Sequence, residues 1–396
     1  MRRLLILGAG INQAPLYRTA RSMGLFIVAI DPNASAPAFG LADSSHVCDL
    51  GRSEECLRIA KASDIQGVMT IAADFPVPTL ARIADALCLK GPTVESALLA
   101  TDKRRMRQAL LDAGVPSPRS LAARSLDEAS EAAGEIGRAV VLKPASSSGG
   151  RGITVLPSHS PADRLREAFE HSLQHAPDGT VLVEEFAPGP EYSVECLTHG
   201  GLTRVIAITD KLTSGEPHFV ELGHSQPAQL PAAEAERLRD VASASIEALG
   251  IDDSASHVEV RLSEGGPRVI EAAARLGGGF IASHLVQHSN GVDYLRAAIQ
   301  VALGDELEVF ETRSGASAVR FIVAEPGVVR QIEGIEEAER SPGVVEATLY
   351  VGGGDCVQRL TDATARLGHV ICSGSTAGEA ISRAEDALHR IHVTTS

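Results

Sequence analysis

The sequence predicts a chain that combines α/β and α+β architecture in two or three domains. Residues 1–92 alternate short apolar runs with helical patterns, an order that favours a parallel sheet with crossover helices. Runs rich in β-branched residues between residues 181 and 208 predict antiparallel strands. Short strands mixed with helices beyond residue 310 predict a small terminal α+β unit. The length of 396 residues exceeds one typical core, so more than one domain is expected.

Composition limits the class of protein. A formal net charge of −15 disfavours nucleic acid or an anionic membrane as a main partner. Aromatic residues make up 3% of the chain and Trp is absent, which leaves few platforms for stacking bases. A hydrophobic content of 44% suits an ordinary soluble, globular protein. We therefore expect small-molecule substrates, with no nucleic acid and no membrane as partner.

The cysteines and the first residues bear on the compartment. Six cysteines are scattered without CxxC or CxxH spacing, so neither a disulfide framework nor a zinc site is expected. The opening MRRLLILGAG imitates a signal peptide, but its apolar run stops at Asn12 and Gln13 with no prompt cleavage site. A buried first strand is the better interpretation. No run approaches the roughly 18 apolar residues that span a bilayer, and a cytoplasmic location is expected.

A glycine turn follows the first predicted strand. Gly8 and Gly10 flank Ala9 after LLIL, and Asp31 ends the second strand, as in dinucleotide-binding domains. The third glycine of that fingerprint is missing, because Gln13 stands where close helix packing requires Gly or Ala. A nicotinamide or flavin site is therefore disfavoured. Glycines that only turn a strand into a helix are a sufficient explanation.

A lysine and a loop of small residues follow a later strand. Lys143 opens the run KPASSSGGRGI (143–153), directly after the apolar segment AVVL (139–142). Small side chains let backbone N–H groups approach phosphate oxygens, while the lysine supplies positive charge. The run predicts a flexible lid over a triphosphate. A Gly/Ser-rich connector between two strands is the alternative.

The segments around this loop predict further elements. A helical segment carries Asp102 and Lys103, and the prolines of GVPSP (114–118) end it. A helix is expected over residues 231–249, starting at a proline and ending before a glycine. Antiparallel strands are expected in VLVEEF (181–186), EYSVECL (191–197) and LTRVIAI (202–208).

Two acidic residues lie in a predicted hairpin. The strands HVEVR (257–261) and VIEAAARLGGG (269–279) flank the turn SEGGP, which would set Glu259 beside Glu271. Opposed carboxylates repel each other unless a cation lies between them, so the pairing favours Mg²⁺. Either glutamate alone is more often part of a solvated strand face. Arg275 and the glycines that follow it strengthen the metal interpretation.

These features, in this order, resemble the ATP-grasp superfamily over roughly residues 1–310. The resemblance rests on the GAGxxQ-type opening, Lys103, the lysine loop, VEEF with the glutamate of PGPEYSVE, HVEVR and EAAARLGGG. It implies a Rossmann-like pre-ATP-grasp domain at 1–92 that helps to hold substrate, which explains the glycine turn better than a nicotinamide does. It also implies a two-lobed nucleotide-binding core at 93–310, with a mobile lid at roughly 115–190, and a C-terminal α+β domain at 311–396.

The resemblance implies a role for each site residue. The residues implied to bind ATP are Lys103 and Lys143 at the phosphates, Ser148, Gly149 and Gly150 over them, Glu184, Glu185 and Phe186 beside the adenine, and Glu191 at the ribose hydroxyls. Glu259 and Glu271 would ligate Mg²⁺, or Mn²⁺ in its place. Arg275 would hold the carboxylate substrate and then the acyl phosphate. The plain alternatives are a surface lysine at 103, a solvated strand residue at 191 and a salt-bridge arginine at 275.

One position departs from the family pattern. Ala273 stands where many members carry an Asn two residues after the second metal-binding Glu, so one metal contact is missing or replaced. EAAARLGGG looks most like the carboxylate–amine ligases that join free amino acids, the L-amino-acid ligase branch. The segment HFVELGHSQPA (218–228) also resembles a loop of those ligases, in which His224 would face the γ-phosphate or the acyl intermediate. A capping or core histidine is the alternative.

The expected reaction is ATP-dependent amide formation. The γ-phosphoryl group would pass to a carboxylate, and an amine would then attack the acyl phosphate, releasing ADP and phosphate. The alternatives are an ATP-grasp enzyme of nucleotide biosynthesis or bicarbonate-dependent carboxylation, and a non-catalytic ATP-binding protein. The expected partners are a small carboxylate and an amine, with amino acids favoured. A homodimer is possible, because such dimers are common among relatives.

Overall fold

A computed structural model gives the fold and describes residues 1–147, 149–307 and 309–396. In chain order the strands are β1 (Arg3–Leu7), β2 (Phe26–Asp31), β3 (Ser44–Val47), β4 (Gly67–Met69), β5 (Ser120–Ala123), β6 (Val140–Pro144), β7 (Thr154–Leu156), β8 (Val181–Glu185), β9 (Glu191–His199), β10 (Leu202–Thr213), β11 (Glu221–Gln226), β12 (Ser254–Ser263), β13 (Gly266–Ala273), β14 (Ala316–Ile322), β15 (Gly327–Glu333), β16 (Val344–Leu349), β17 (Cys356–Val357), β18 (Gly368–Gly374) and β19 (His392–Thr395). The helices are α1 (Ala14–Ser22), α2 (Ser53–Ala62), α3 (Val77–Ala86), α4 (Val94–Thr101), α5 (Lys103–Asp112), α6 (Leu126–Ile136), α7 (Ala162–Gln174), α8 (Ala232–Ala248), α9 (Val286–Ser289), α10 (Tyr294–Ala302), α11 (Ile335–Glu339) and α12 (Ala377–Leu388).

The first residues form a parallel sheet, as the sequence predicts. Its strand order in the described chain is β3-β2-β1-β4, and each neighbouring pair runs parallel. The strand β3 was not predicted, because its sequence SSHV lacks the apolar residues that mark a buried strand. It lies at the sheet edge, where a polar strand is tolerated.

The glycine turn after β1 is fixed by polar contacts of its own. The backbone N–H of Ala9 donates to the Asp31 carboxylate at 2.7 Å, and the buried Gln13 amide donates to the carbonyl of Ile71 at 2.9 Å. Gly8 adopts a φ of +97°, a conformation that favours glycine. These contacts give Asp31 and Gln13 structural roles and tie the turn to the end of β4.

A small antiparallel sheet forms the predicted lid region. Its strand order in the described chain is β5-β8-β6-β7, and the helices α6 and α7 pack against it. Lys143 lies near the end of β6, and Gly149, Gly150 and Gly152 follow it with positive φ values. Ser148 lies outside the described residues.

A large sheet forms the centre of the molecule. Within the described residues it contains eight strands in the order β13-β12-β9-β10-β11-β14-β18-β16, with antiparallel neighbours. Helix α8 packs Leu238, Val241 and Ile246 into the core of this sheet, which confirms the helix predicted over 231–249. The C-terminal strands β14, β18 and β16 extend this sheet, whereas β17, β15 and β19 form a separate small sheet. The domain boundaries near residues 92 and 310 stay predictions.

A helix break places one of the predicted lysines. The sequence predicted one helical segment around Asp102, but the structure has two helices, α4 and α5, that meet there. The Asp102 carboxylate accepts from the backbone N–H of Arg104 at 2.9 Å and so caps α5. Lys103 is consequently the first residue of α5, and its backbone N–H donates to the carbonyl of Ala145 at 3.0 Å.

None of the helices in the described part of the chain combines the length and the apolar composition needed to traverse a bilayer.

The turn before β9 depends on one glycine, and this dependence predicts a stability change. Gly189 has a φ of +109°, and a methyl group added there would lie 2.1 Å from the carbonyl oxygen of Leu262. We expect Gly189→Ala to lower the free energy of unfolding by about 3 kcal/mol, because it combines strain with a backbone clash. The matched control is Gly179→Ala, where φ is +72° with no atom within 4 Å, and it should lose only about 1 kcal/mol. Denaturant unfolding would measure both, and equal losses would contradict the clash.

Candidate active site

A cleft of about 300 Å³ lies between the small sheet that contains β6 and β8 and the large central sheet. The predicted site residues within the described chain all line it: Lys103, Lys143, Gly149, Gly150, Glu184, Glu185, Phe186, Glu191, His224, Glu259, Glu271 and Arg275. Asn12 and Asp74 from the N-terminal residues also line the cleft, as do Asp362 and Arg366 from the C-terminal residues. The structure therefore brings together positions that the sequence spreads over most of the chain.

The two predicted metal ligands are neighbours. Glu259 of β12 and Glu271 of β13 are direct partners in the antiparallel register. Each carboxylate accepts from an ammonium group: Lys211 Nζ lies 2.6 Å from Glu259 Oε1, and Lys103 Nζ lies 3.1 Å from Glu271 Oε1. Two lysine ammonium groups thus supply positive charge at these carboxylates, whereas the sequence had suggested a metal ion there; the metal site stays a prediction.

This donor set fits Mg²⁺. Among the described residues, no group of three or more His, Cys, Asp and Glu side chains could hold a metal ion. Two carboxylates with phosphate oxygens and waters are a usual ligand set for Mg²⁺, which keeps much of its hydration. The buried Ala273 supplies no ligand, and its register partner in β12 is His257.

Lys211 was not predicted, yet it is the most heavily paired cation in the cleft. Its ammonium lies 2.7 Å from Glu191, 3.0 Å from Glu221 and 2.6 Å from Glu259, and its side chain is 2% exposed. Burial lowers the pKa of Lys211, but the three glutamates together raise it well above its ordinary value. The group therefore stays charged and holds three carboxylates together. Nothing in its local sequence TDKLT distinguishes this lysine from one on a solvated strand.

The predicted phosphate lysine is part of a second buried cluster. Lys143 Nζ lies 2.6 Å from Glu184, and Arg107 binds both oxygens of Glu184 at 2.8 and 3.0 Å. Burial lowers the pKa of Lys143 to about 8, although Glu184 acts in the opposite direction. Burial raises the pKa of Glu184, but Arg107 and Lys143 hold it at about 2. Arg107 was missed because it looks like any arginine on a basic helix.

Aromatic rings line the predicted adenine end of the cleft. The rings of Phe186 and Phe219 lie 5.7 Å apart, and the guanidinium of Arg261 lies 5.0 and 4.5 Å from their respective centroids. Arg261 also donates to Glu191 at 3.1 Å, so the glutamate predicted to bind ribose is shared by two cations. These flat groups offer a surface suited to a planar base.

Arg275 is held by the N-terminal residues. Its Nε and Nη2 atoms donate to the two oxygens of Asp74 at 2.8 and 3.1 Å. The loop that carries Asp74 is joined to the same segment, since the N–H of Ala72 donates to the carbonyl of Leu276 at 3.1 Å. Asp74 was missed because it lies 201 residues from Arg275 in the chain.

His224 is buried in β11 and lines the cleft. Its residue exposure is 1%, and neither ring nitrogen has a hydrogen-bond partner within the described chain. The carboxylate oxygen Glu221 Oε2 lies 3.7 Å from Nε2. Burial lowers the pKa of His224 to about 3, so the ring is neutral. A buried polar group without a protein partner is unusual and requires an explanation, such as a bound water, an ion or a ligand atom.

His257 supports one of the acidic residues. Its Nδ1 lies 2.5 Å from Glu195 Oε1, and its Nε2 lies 3.4 Å from Glu259 Oε1. The imidazole therefore lies between a fully buried carboxylate and the predicted metal ligand. Such a bridge fixes the orientation of a ligand carboxylate. The sequence showed the HxE spacing of His257 and Glu259, but the partner Glu195 comes from the neighbouring strand β9.

Comparison with known proteins identifies the family. The profile of the ATP-grasp domain matches residues 136–283, and the profile of the L-amino acid ligase C-terminal domain 2 matches residues 320–396. The uncharacterized protein y4rH of Sinorhizobium fredii is 34% identical over 344 residues, which cover 84% of this chain and 70% of that protein.

Two relatives with assigned activities and one solved structure indicate the range of similar proteins. The alanine–anticapsin ligase of Bacillus subtilis is 28% identical over 246 residues, spanning 57% of this chain and 51% of that enzyme. The formate-dependent phosphoribosylglycinamide formyltransferase of Pelobacter propionicus is 28% identical over 419 residues, spanning 99% of this chain and 96% of that enzyme. The crystal structure of the L-amino acid ligase from Bacillus licheniformis superimposes with a TM-score of 0.84 at 21% identity, covering 100% of this chain and 99% of that one.

The chain belongs to the ATP-grasp superfamily, and it is an ADP-forming enzyme of the carbon–nitrogen ligase type. Within that class it resembles the L-amino acid ligase branch, because the profile of that branch matches its C-terminal residues. ATP-grasp enzymes use ATP with Mg²⁺. The interpretation as a non-catalytic nucleotide-binding protein is therefore set aside.

The buried cluster around Glu184 predicts that removal of this one negative charge strongly destabilises the protein. Glu184→Gln should lower the free energy of unfolding by about 3 kcal/mol or more, because Arg107 and Lys143 would lose their common counter-charge. Glu185→Gln is the matched control, since that carboxylate pairs with the more exposed Arg138 and Arg268 and should cost less than about 1 kcal/mol. Denaturant unfolding of both variants near pH 7 measures the difference. Equal midpoints would refute a structural role for the cluster.

Proposed function

We propose that the protein is a carboxylate–amine ligase that forms an amide, with an amino acid as one substrate. The observation that carries this proposal is the opposed pair Glu259 and Glu271, each held by an ammonium group at the cleft. Support for amino-acid substrates comes from the L-amino acid ligase profile and from the alanine–anticapsin ligase. A cytoplasmic location and a homodimer are further parts of the proposal.

ATP binds with its phosphates toward the two buried lysines. Lys103 and Lys143 are 5% and 4% exposed, so their charges act in a poorly solvated environment where they bind phosphate strongly. Gly149 and Gly150 close over the phosphates through their backbone N–H groups. Ser148, which lies outside the described residues, is proposed to contact the phosphates as well. Glu185 and Phe186 lie beside the adenine. Glu184, the residue before them, holds the ammonium group of Lys143 in place. Glu191 accepts from the ribose hydroxyls.

Glu259 and Glu271 would hold Mg²⁺, or Mn²⁺ in its place, and the ion would supply positive charge that neutralises the phosphates during transfer. Lys211 and Lys103 already neutralise these carboxylates, so they keep the pair in place before the nucleotide arrives. Because Lys211 also holds Glu191, the proposed ribose and metal positions share one buried cation.

The carboxylate substrate lies at Arg275 and His224. A carboxylate oxygen attacks the γ-phosphorus, the bond to the ADP oxygen breaks, and an acyl phosphate forms. Arg275 balances its charge, and the neutral His224 binds one of its oxygens. The amine nitrogen then attacks the acyl carbon, the carbon–oxygen bond to phosphate breaks, and the amine gives up a proton. The closed lid excludes water, which would otherwise hydrolyse the acyl phosphate.

The second candidate is an enzyme of nucleotide biosynthesis or of bicarbonate-dependent carboxylation. The phosphoribosylglycinamide formyltransferase favours it, because that relative matches this chain over nearly its full length. The two candidates differ in the amine and carboxylate that they use, and this difference is measurable.

The test is a phosphate-release screen over pairs of amino acids, with mass spectrometry of the products. A parallel reaction with hydroxylamine traps the activated acyl group as a hydroxamate. The proposal expects ADP and phosphate only when an amino acid is present, together with a dipeptide-like product. Activity only with formate, bicarbonate or a phosphoribosyl amine would support the second candidate instead.

Removal of the charge of Lys143 or of Glu271 should slow the reaction without unfolding the protein. We expect Lys143→Ala and Glu271→Gln each to lower kcat by about 100-fold or more, in line with the removal of one group that stabilises transition-state charge. Glu264→Gln is the control, because this residue lies exposed in the turn of the same hairpin and should keep full activity. Phosphate release at saturating ATP provides the rate. ADP formation at the normal rate by either variant would refute its assignment.

The pKa of Lys143 predicts proton uptake on nucleotide binding. The pKa lies near 8 in the free protein, so the group is charged below pH 8 and mostly neutral at pH 8.5. Bound phosphates favour the ammonium form, so ADP binding at pH 8.5 should take up about 0.7 proton, and at pH 6.5 almost none. Calorimetric titrations in two buffers of different ionisation enthalpy measure this number.

The control for proton uptake is Lys143→Arg, whose guanidinium stays charged throughout. This variant should bind ADP at pH 8.5 without the extra proton. An equal uptake at both pH values in the unaltered protein would contradict the role of Lys143.

A further inference from the structure

The C-terminal residues form one wall of the cleft. Asp362, Ala363 and Arg366 line it, just before β18. The backbone N–H of Ala363 lies 3.3 Å from the carbonyl oxygen of Gly149, so this segment touches the glycine loop. The segment with Asp362, Ala363 and Arg366 therefore borders both the lid and the proposed reaction site. Its sequence alone predicted no chemical role.

Arg366 is held in this wall by two of its nitrogen atoms, and its third nitrogen has no partner among the described residues. Its Nε donates to the carbonyl of Glu221 at 3.0 Å, its Nη2 donates to the Glu221 carboxylate at 2.7 Å, and its guanidinium stacks on Phe321 at 3.9 Å. The side chain is 10% exposed. A guanidinium has five N–H donors, and in the described residues Nη1 has no partner. The side chain is thus held in place, while its Nη1 group can donate hydrogen bonds to a ligand.

Glu221 links Arg366 to the proposed reaction centre. Its carboxylate lies 3.0 Å from Lys211 and 3.7 Å from His224, in addition to its bond with Arg366. Lys211 in turn binds Glu259. Arg366 therefore lies two charged side chains away from the proposed metal ligand, where a second substrate would approach an acyl phosphate.

The pair Glu221 and Arg366 sets a negative and a positive group side by side. This arrangement complements a free amino acid, whose ammonium and carboxylate are also neighbours. Arg275 is less suited to this role, because its Nη1 donates to the carbonyl of Leu276 at 3.3 Å while Nε and Nη2 donate to Asp74. The proposed function also assigns Arg275 to the first carboxylate.

We propose that Arg366 is a specificity-determining residue that binds the α-carboxylate of the amino acid supplying the attacking amine. This inference rests on the proposed function and deepens it. It gives the C-terminal region a role in substrate choice, with Glu221 orienting the guanidinium and attracting the ammonium group before the amine is deprotonated.

The test compares two half-reactions in Arg366→Gln, Arg366→Lys and the unaltered protein. The common L-amino acids, each paired with its α-carboxamide, serve as amine probes, and O-phosphoethanolamine probes recognition of phosphate. Hydroxamate formation measures activation of the first carboxylate, which needs no amine substrate. The control is Arg359→Gln, which removes the same charge from an exposed position in the same segment.

Arg366→Gln should raise KM for the amino-acid amine by about 30-fold or more, the effect of truncating one partner of a buried charged contact. KM for the matching amide, KM for ATP and hydroxamate formation should change by less than about threefold. Arg366→Lys should recover part of the loss, because it keeps the charge without the fork. Arg359→Gln should behave like the unaltered protein.

Three results would overturn the inference. An equal rise in KM for amino acids and for their amides would show that Arg366 does not bind the α-carboxylate. A matching loss of hydroxamate formation would assign Arg366 to the first substrate or to the fold, and the lysine variant and thermal unfolding would separate these two cases. A preference for O-phosphoethanolamine that disappears in Arg366→Gln would assign it to a phosphate. If the unaltered protein forms no hydroxamate with any amino acid, the proposed function itself fails, and the inference fails with it.

Discussion

The site depends on the placement of two carboxylates directly opposite each other in a buried hairpin. Glu259 and Glu271 would repel each other if left alone, and burial would increase that repulsion. Lys211 and Lys103 supply the compensating charges. A carboxylate and an ammonium buried together are stable only when the geometry is good, which restricts how the surrounding strands can pack.

The same charges bear on the proposed binding of a nucleotide. In that proposal, the lysines that pair with carboxylates in the free protein would bind phosphate oxygens, so one set of ion pairs would replace another. Such an exchange avoids exposing an unpaired charge to an apolar environment. It also couples the parts of the molecule, because Arg275 is held from the N-terminal sheet by Asp74 and Arg366 reaches Glu221 from the C-terminal residues. The cleft is therefore complete only when all three parts of the chain are folded together.

Much of this could be predicted from the sequence. The parallel sheet of the first residues and the hairpin register of Glu259 and Glu271 were predicted correctly, because each follows from local spacing. The superfamily was recognised correctly from the order of motifs along most of the chain. The edge strand β3 and the break between α4 and α5 were not predicted. The first lacks apolar residues, and the second depends on whether Asp102 caps a helix or lies within one. The roles assigned to individual site residues stay predictions, although the described ones line one cleft.

The sequence by itself determined the order of strands, loops and charged residues, since short-range periodicity and motif spacing are properties of neighbouring positions. The tertiary structure alone decided which charges meet. Lys211, Asp74 and Arg366 carry no local signal, because their surroundings in the chain look like ordinary strand or loop segments. Their importance comes from partners that lie far away in the sequence, and pairing over such distances is fixed only when the sheets pack and water is excluded from the cleft.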